Sequence, residues 1–160
     1  MTHLLGPKVT ETPTTDEDGI ALGTIYTHYN GYQYMKVHAN GAITIYDAVV
    51  VDEAGEAFAI TKAAAEDYGG RRVGVAQVAF ADNDYGYILT KGVGSVNALT
   101  SCAADVQLYT SGTTGHLDDA DASQHAITGI RLTTAVGGGG AAAAPMFIDN
   151  AQVIIAFDGA

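Results

Sequence analysis

From Ile20 onward, apolar and polar residues alternate in short runs, and glycines and asparagine-glycine dipeptides separate the runs. A period of two marks strands with one buried face, because successive side chains leave the backbone on opposite sides. Asn30-Gly31 divides ALGTIYTHY from YQYMKVHA, and Asn40-Gly41 divides that run from AITIYDAVVVD. Both dipeptides suit the left-handed backbone of type I′ hairpin turns, so the pattern predicts a three-stranded meander. In its middle strand Tyr32, Tyr34, Lys36 and His38 alternate with Gln33, Met35 and Val37, which sends Met35 and Val37 to the core and the tyrosines to a wetter face.

After Asp52, EAGEAFAIT reads as a turn and a short strand with Phe58 and Ile60 on one face. TKAAAEDYGG is the convincing helical stretch: Ala63 to Ala65 favour helix and Gly69-Gly70 ends it, giving a connector of about two turns. Alternation then returns at Val73, Val75 and Gln77, at Tyr85, Tyr87 and Leu89, at Val106 and Leu108, at Thr128, Ile130 and Leu132, and at Val153, Ile155 and Phe157. Gly137 to Gly140 followed by Ala141 to Ala144 is low complexity and reads as a flexible loop before Pro145.

Many short strands with almost no helix predict an all-β fold, a small β-sandwich or barrel (jelly-roll-like) with at most one short helix. Residues 1–19 mix threonine, proline, glycine and acids around Leu4, Leu5 and Val9, and read as an extended N-terminal arm that orders only against another surface. Residues 20–160 form a single β domain.

Charge narrows the partners. Seven basic residues stand against eighteen acidic ones, a formal charge of −11 that repels a phosphate backbone and an anionic membrane alike. No direct nucleic-acid partner and no membrane are expected, and the N-terminus lacks a secretory pattern. Cys102 is the single cysteine, and its neighbours Ala103 and Ala104 suggest a buried inert thiol.

Patterns that carry chemistry fail on spacing. Gly92-Val93-Gly94 begins a phosphate-binding motif, but Asn97 stands where the third glycine belongs and no helix follows. Asp118, Asp119 and Asp121 do not complete a calcium loop, since Gln124 and Ile130 occupy its glycine and acid positions; Asp82, Asn83 and Asp84 fail likewise. Both acidic clusters read as turn residues that bond to nearby backbone. The five histidines lack zinc-site spacing, and Gly94-Ser95-Val96-Asn97 lacks the last glycine of a nucleophile elbow. No catalytic residue, metal or cofactor is therefore assigned. Tyrosines concentrate in the first hairpin instead, and a ring with one dry and one wet end suits an interface. The candidate capsid or subunit contacts are Leu4, Leu5, Val9, Tyr26, Tyr29, Tyr32, Tyr34, Arg71 and Arg72.

VGVAQVAFADNDYGYILTKGVGSVNAL, AADVQLYTSGTTGHLDD, AITGIRLTTAVGGGGAAAAP and the closing AQVIIAF follow one another over roughly residues 71–157. This order resembles the head decoration, or capsid cement, proteins of tailed bacteriophages: a G-[VI]-A strand, a D-Y-G strand with a following K-G-V, a V-x-L-Y strand leading to a T-x-G-x-L-D-D turn, then a glycine-containing strand and an alanine-glycine loop. The resemblance implies a non-enzymatic β protein made in the host cytoplasm and bound to the outer surface of the capsid in the virion. Its partner would be the major capsid protein, and it would be a homo-oligomer, a trimer more than a dimer. The alternative is a carbohydrate- or receptor-binding β module of a phage fibre or tail.

Overall fold

A computed structural model describes residues 7–67 and 72–155. Leu4, Leu5, Arg71 and Phe157 lie outside the described residues. The chain is all-β, with ten strands and a single short helix among the described residues. In order these are β1 (Ile25–Thr27), β2 (Gln33–Ala39), β3 (Ala48–Val51), β4 (Glu56–Ala59), α1 (Lys62–Asp67), β5 (Arg72–Val75), β6 (Tyr85–Ala98), β7 (Leu108–Thr110), β8 (Leu117–Asp118), β9 (Ala126–Leu132) and β10 (Ala142–Ile154).

Strand pairing closes on itself twice. β2, β4, β3, β5 and β6 form one ring, with β2 and β4 parallel and the other neighbours antiparallel. β6, β10, β9, β7 and β8 form a second, with β6 and β8 parallel. The 14-residue β6 belongs to both, pairing through its first half with β2 and through its second half with β10. Closure removes most of the unpaired edge that a short-stranded sheet would expose.

Met35, Val37, Ile43, Val49, Val51, Phe80 and Ile88 fill the first ring. A second core joins Val96, Leu108, Leu117, Ile127, Ile130, Leu132, Met146 and Ile148 to Ala48, Val50, Val73, Val75 and Leu89, which come from the first ring's strands. Hence β3 is buried on both faces, and its AVVV reads as an unbroken apolar run with no polar alternation. Leu89 and Val96 enter the same core although strict alternation would put them on opposite faces. The offset comes from a bulge: Gln33 faces Lys91 while Tyr34 faces Leu89, which leaves Thr90 as an extra residue on β6. Just beyond it, Gly92 adopts φ 133°, and the Tyr32 ring fills the space a Cβ would need, 2.7 Å away.

Several expectations change. The first hairpin forms, but its loop has only Gly31 left-handed (φ 85°), so it is not a type I′ turn. Asn30 fixes it by accepting from the Tyr32 N–H at 3.0 Å. The three-stranded meander does not form: β3 pairs with β4 and β5, and β2 takes β4 and β6 as neighbours. After Asn40-Gly41 the chain makes only an isolated bridge, Ile43 to Phe80. The alanine run is not loop, because Ala142, Ala143 and Ala144 open β10 and pair with Ala98, Asn97 and Val96. Pro145 is tolerated within β10 because its carbonyl side, and so its missing N–H, faces Thr133, just past the end of the β9 ladder.

Candidate functional site

The arm is the first surface of interest. Residues 7–24 lie against the protein's own β2 and β6, and the Tyr85 N–H donates to the Pro13 carbonyl at 2.8 Å. Alternation assigned Lys36 to the wet face, yet it is only 2% exposed. Its ammonium donates to the carboxylates of Asp16 and Asp18, both on the arm. Tyr87 Oη donates to Asp18 Oδ2 at 2.9 Å. Burial raises the Asp18 carboxyl, but hydrogen bonds from Lys36, the Ile20 N–H and Tyr87 outweigh it and hold the group below its usual range. For Lys36 burial works downward, and the bonds to Asp16 and Asp18 overcome it, so the ammonium is held above its ordinary value. A buried cation thus depends on the arm for its counter-charges.

The tyrosines of the first hairpin take different positions. Tyr29 stands at the tip, 94% exposed, with the His28 ring 4.1 Å from its own. Tyr26 and Tyr34 are half-buried and meet His28 edge-on at 6.3 and 6.5 Å. Tyr32 is half-buried against the second core and Gly92. Val9 is half-buried on the arm, and Arg72 is exposed on β5, opposite Gln152 of β10. The candidate contacts therefore occupy separate places and do not converge on a single site.

The acidic clusters accept from backbone N–H groups, but of Asp82, Asp84 and Asp119 only Asp84 does so within its own turn; the other two reach segments distant in the chain. Asp82 Oδ1 accepts from Gly41 N–H at 2.8 Å, Asp84 Oδ2 from Ala81 N–H at 2.8 Å and Asp119 Oδ2 from Ala103 N–H at 2.8 Å. Cys102 Sγ lies with the carboxylates of Asp118 and Asp119 in a group whose ligand atoms are within 4.8 Å of one another. Burial and those two carboxylates push the thiol up to about 11, so it is protonated at neutral pH and a poor ligand or nucleophile. Ser111 Oγ is engaged with the Thr113 and His116 carbonyls at 3.0 and 2.8 Å inside its turn. Gly92 and Gly94 sit within β6, where Tyr32 and Leu89 crowd them, and they present no loop to a phosphate.

A surface that sequence reasoning missed lies on the second ring. From Ala144 to Asp149 β10 alternates, burying Ala144, Met146 and Ile148 and exposing Pro145, Phe147 and Asp149. Phe147 faces Val93 on β6 and Arg131 on β9, and these partners are exposed as well. Lys91 Nζ pairs with Asp149 Oδ1 at 3.3 Å beside them. The run Met146-Phe147-Ile148 is continuously apolar, so only the register shows which of the three faces outward. A scan against protein-family models and a search of curated proteins find no match for this chain.

Proposed function

We propose that this chain is a structural, non-enzymatic decoration protein that binds the outside of a tailed-phage head and stabilises contacts between capsomers of the major capsid protein. The observation that carries the reading is the order of motifs from β5 to β10, which resembles that of capsid cement proteins. Supporting it, Ser111 is engaged within its own turn and the Cys102 thiol is held protonated, and the two fused rings make a body suited to bearing load. A clamp that binds only the assembled shell stabilises that state by mass action, and several copies held in one homo-oligomer, a trimer by preference, add avidity. The acidic surface suits a protein that stays outside and never touches packaged DNA.

Purified protein is expected to bind expanded heads and to ignore isolated coat monomers in a co-sedimentation assay. Failure to bind heads overturns the reading. The tip pair Tyr29 and His28 favours a second one, a sugar- or receptor-binding fibre module, because an exposed ring can stack on a sugar face. A glycan array separates the two: selective sugar binding that Tyr29→Ala abolishes supports the second.

A further inference from the structure

We propose that the outer face of β9, β10 and β6, centred on Phe147 and Val93, is a self-association surface that receives the acidic arm of a second copy of this chain. Seven large apolar side chains remain exposed among the described residues, and three of them, Val93 (52%), Phe147 (47%) and Ile154 (50%), belong to this face. Val93 and Phe147 are direct register partners, so they form a contiguous patch and not a scatter. Contiguous apolar area on a sheet that is otherwise closed marks a surface made to be covered.

Charge selects the occupant. Arg131 faces Phe147, Lys91 faces Asp149, and Arg72 faces Gln152, so three of the chain's seven basic residues border one strand. In a protein of charge −11 such a basic border, with Asp149 its acidic member, lowers the repulsion met by another copy. The complementary surface is on the chain itself: Glu17 is exposed on the arm between Asp16 and Asp18, whose side chains stay 38% and 33% exposed while they bind Lys36, and with Glu11 these four acids outnumber the arm's partners Lys8 and Lys36 by two. An apolar centre with a basic rim, meeting an acidic strap, has the arrangement that steers and fixes a protein interface. Because the two faces differ, the contact is heterologous, and it closes into a ring if the rotation between copies permits. A stable contact needs about 800 Å² per partner, roughly a tenth of the 7956 Å² surface.

This names the interface for the oligomer in the capsid reading, and it is tested without heads. Sedimentation velocity of the full chain across a concentration series, at low and high salt, is expected to show association that weakens as salt rises. Phe147→Asp and Arg131→Glu are each expected to raise the dissociation constant at least about tenfold, with unchanged circular dichroism. Tyr29→Ser, at the still more exposed hairpin tip, is expected to leave it unchanged. A wild-type chain that is monomeric throughout, or association that survives both substitutions, overturns the interface. Should Phe147→Asp perturb folding, Arg131→Glu decides alone, since it leaves the apolar patch intact. A monomer that still binds heads would remove this interface and leave the capsid role standing.

Discussion

Replacing Asp16 and Asp18 together by asparagine should free the arm while leaving the body folded. The substitutions keep size and hydrogen-bonding capacity but remove both counter-charges from an ammonium that is 2% exposed. Stranding a buried charge costs about 3–5 kcal/mol. The carboxylates themselves are 38% and 33% exposed, so solvent already screens part of the attraction, and about 2–3 kcal/mol is a fairer figure. The chain need not bear that cost globally, because lifting the arm returns Lys36 to water. The docked-to-open equilibrium should then move by roughly 30- to 150-fold, whereas unfolding of the two rings changes by less than about 1 kcal/mol. Hydrogen exchange read by mass spectrometry would report this as lost protection in residues 7–24 and at the Tyr85 amide, which donates to Pro13. Lys8→Ala, which breaks only the exposed Lys8–Glu11 pair, should change nothing. Unchanged arm protection in the double variant, or an equal loss across all ten strands, would refute the latch. The same latch sets a pH dependence. Asp18, held below its usual value, contributes fully above about pH 4 and loses its contribution as pH falls through the folded value. Lys36, held above its usual value, contributes fully below about pH 10 and loses its contribution as pH rises through its folded value. Arm protection should therefore be flat between those limits and fall outside them.

Asp47→Ala should lower stability by about 3 kcal/mol, or Tm by roughly 6–12 °C, because buried Asp47 accepts from the Thr44 N–H and Asn97 Nδ2, both at 2.9 Å, and ties β6 to the turn before β3. Calorimetry would measure it, and a change under about 1 kcal/mol would refute the role. Gly129 sits at φ 78°, where an added Cβ would lie 2.7 Å from the Asp149 carbonyl oxygen, so Gly129→Ala should cost about 2–3 kcal/mol by denaturant titration. Gly139→Ala, which meets nothing within 4 Å, should be near neutral. Cys102, fully buried and with its thiol pushed up to about 11, should react with maleimide only as fast as the second ring opens; rapid labelling of native protein would contradict the packing.

Much of the fold was legible because its signals are local. Period-two alternation marks β2, β5 and β9, the Asn30-Gly31 turn closes the first hairpin, and three successive alanines mark α1. Partner choice was not legible. Nothing local to YQYMKVHA says that it will lie parallel to β4 and antiparallel to a strand fifty residues on. Ala142 to Ala144 have little strand preference of their own, and the β6 ladder recruits them. The tyrosines were visible as a class, but Lys36 could not be recognised as a buried cation, since its burial depends on an arm returning from twenty residues upstream. Phe147 escaped for the converse reason: a contiguous apolar triplet does not say which member faces out.

The strand common to both rings also orders events during synthesis. The first ring has all its staves once translation passes Lys91, and its pairings can close while the rest is still being made. The second half of β6 must then wait for Ala142 to Asp149 before its edge is covered. Until those residues leave the ribosome, Val93 to Ala98 offer an unpaired ladder to any neighbouring nascent chain. A chain stopped after β9 would keep that edge open, so premature termination there should yield aggregate, whereas β10, Ala142–Ile154, closes the second ring.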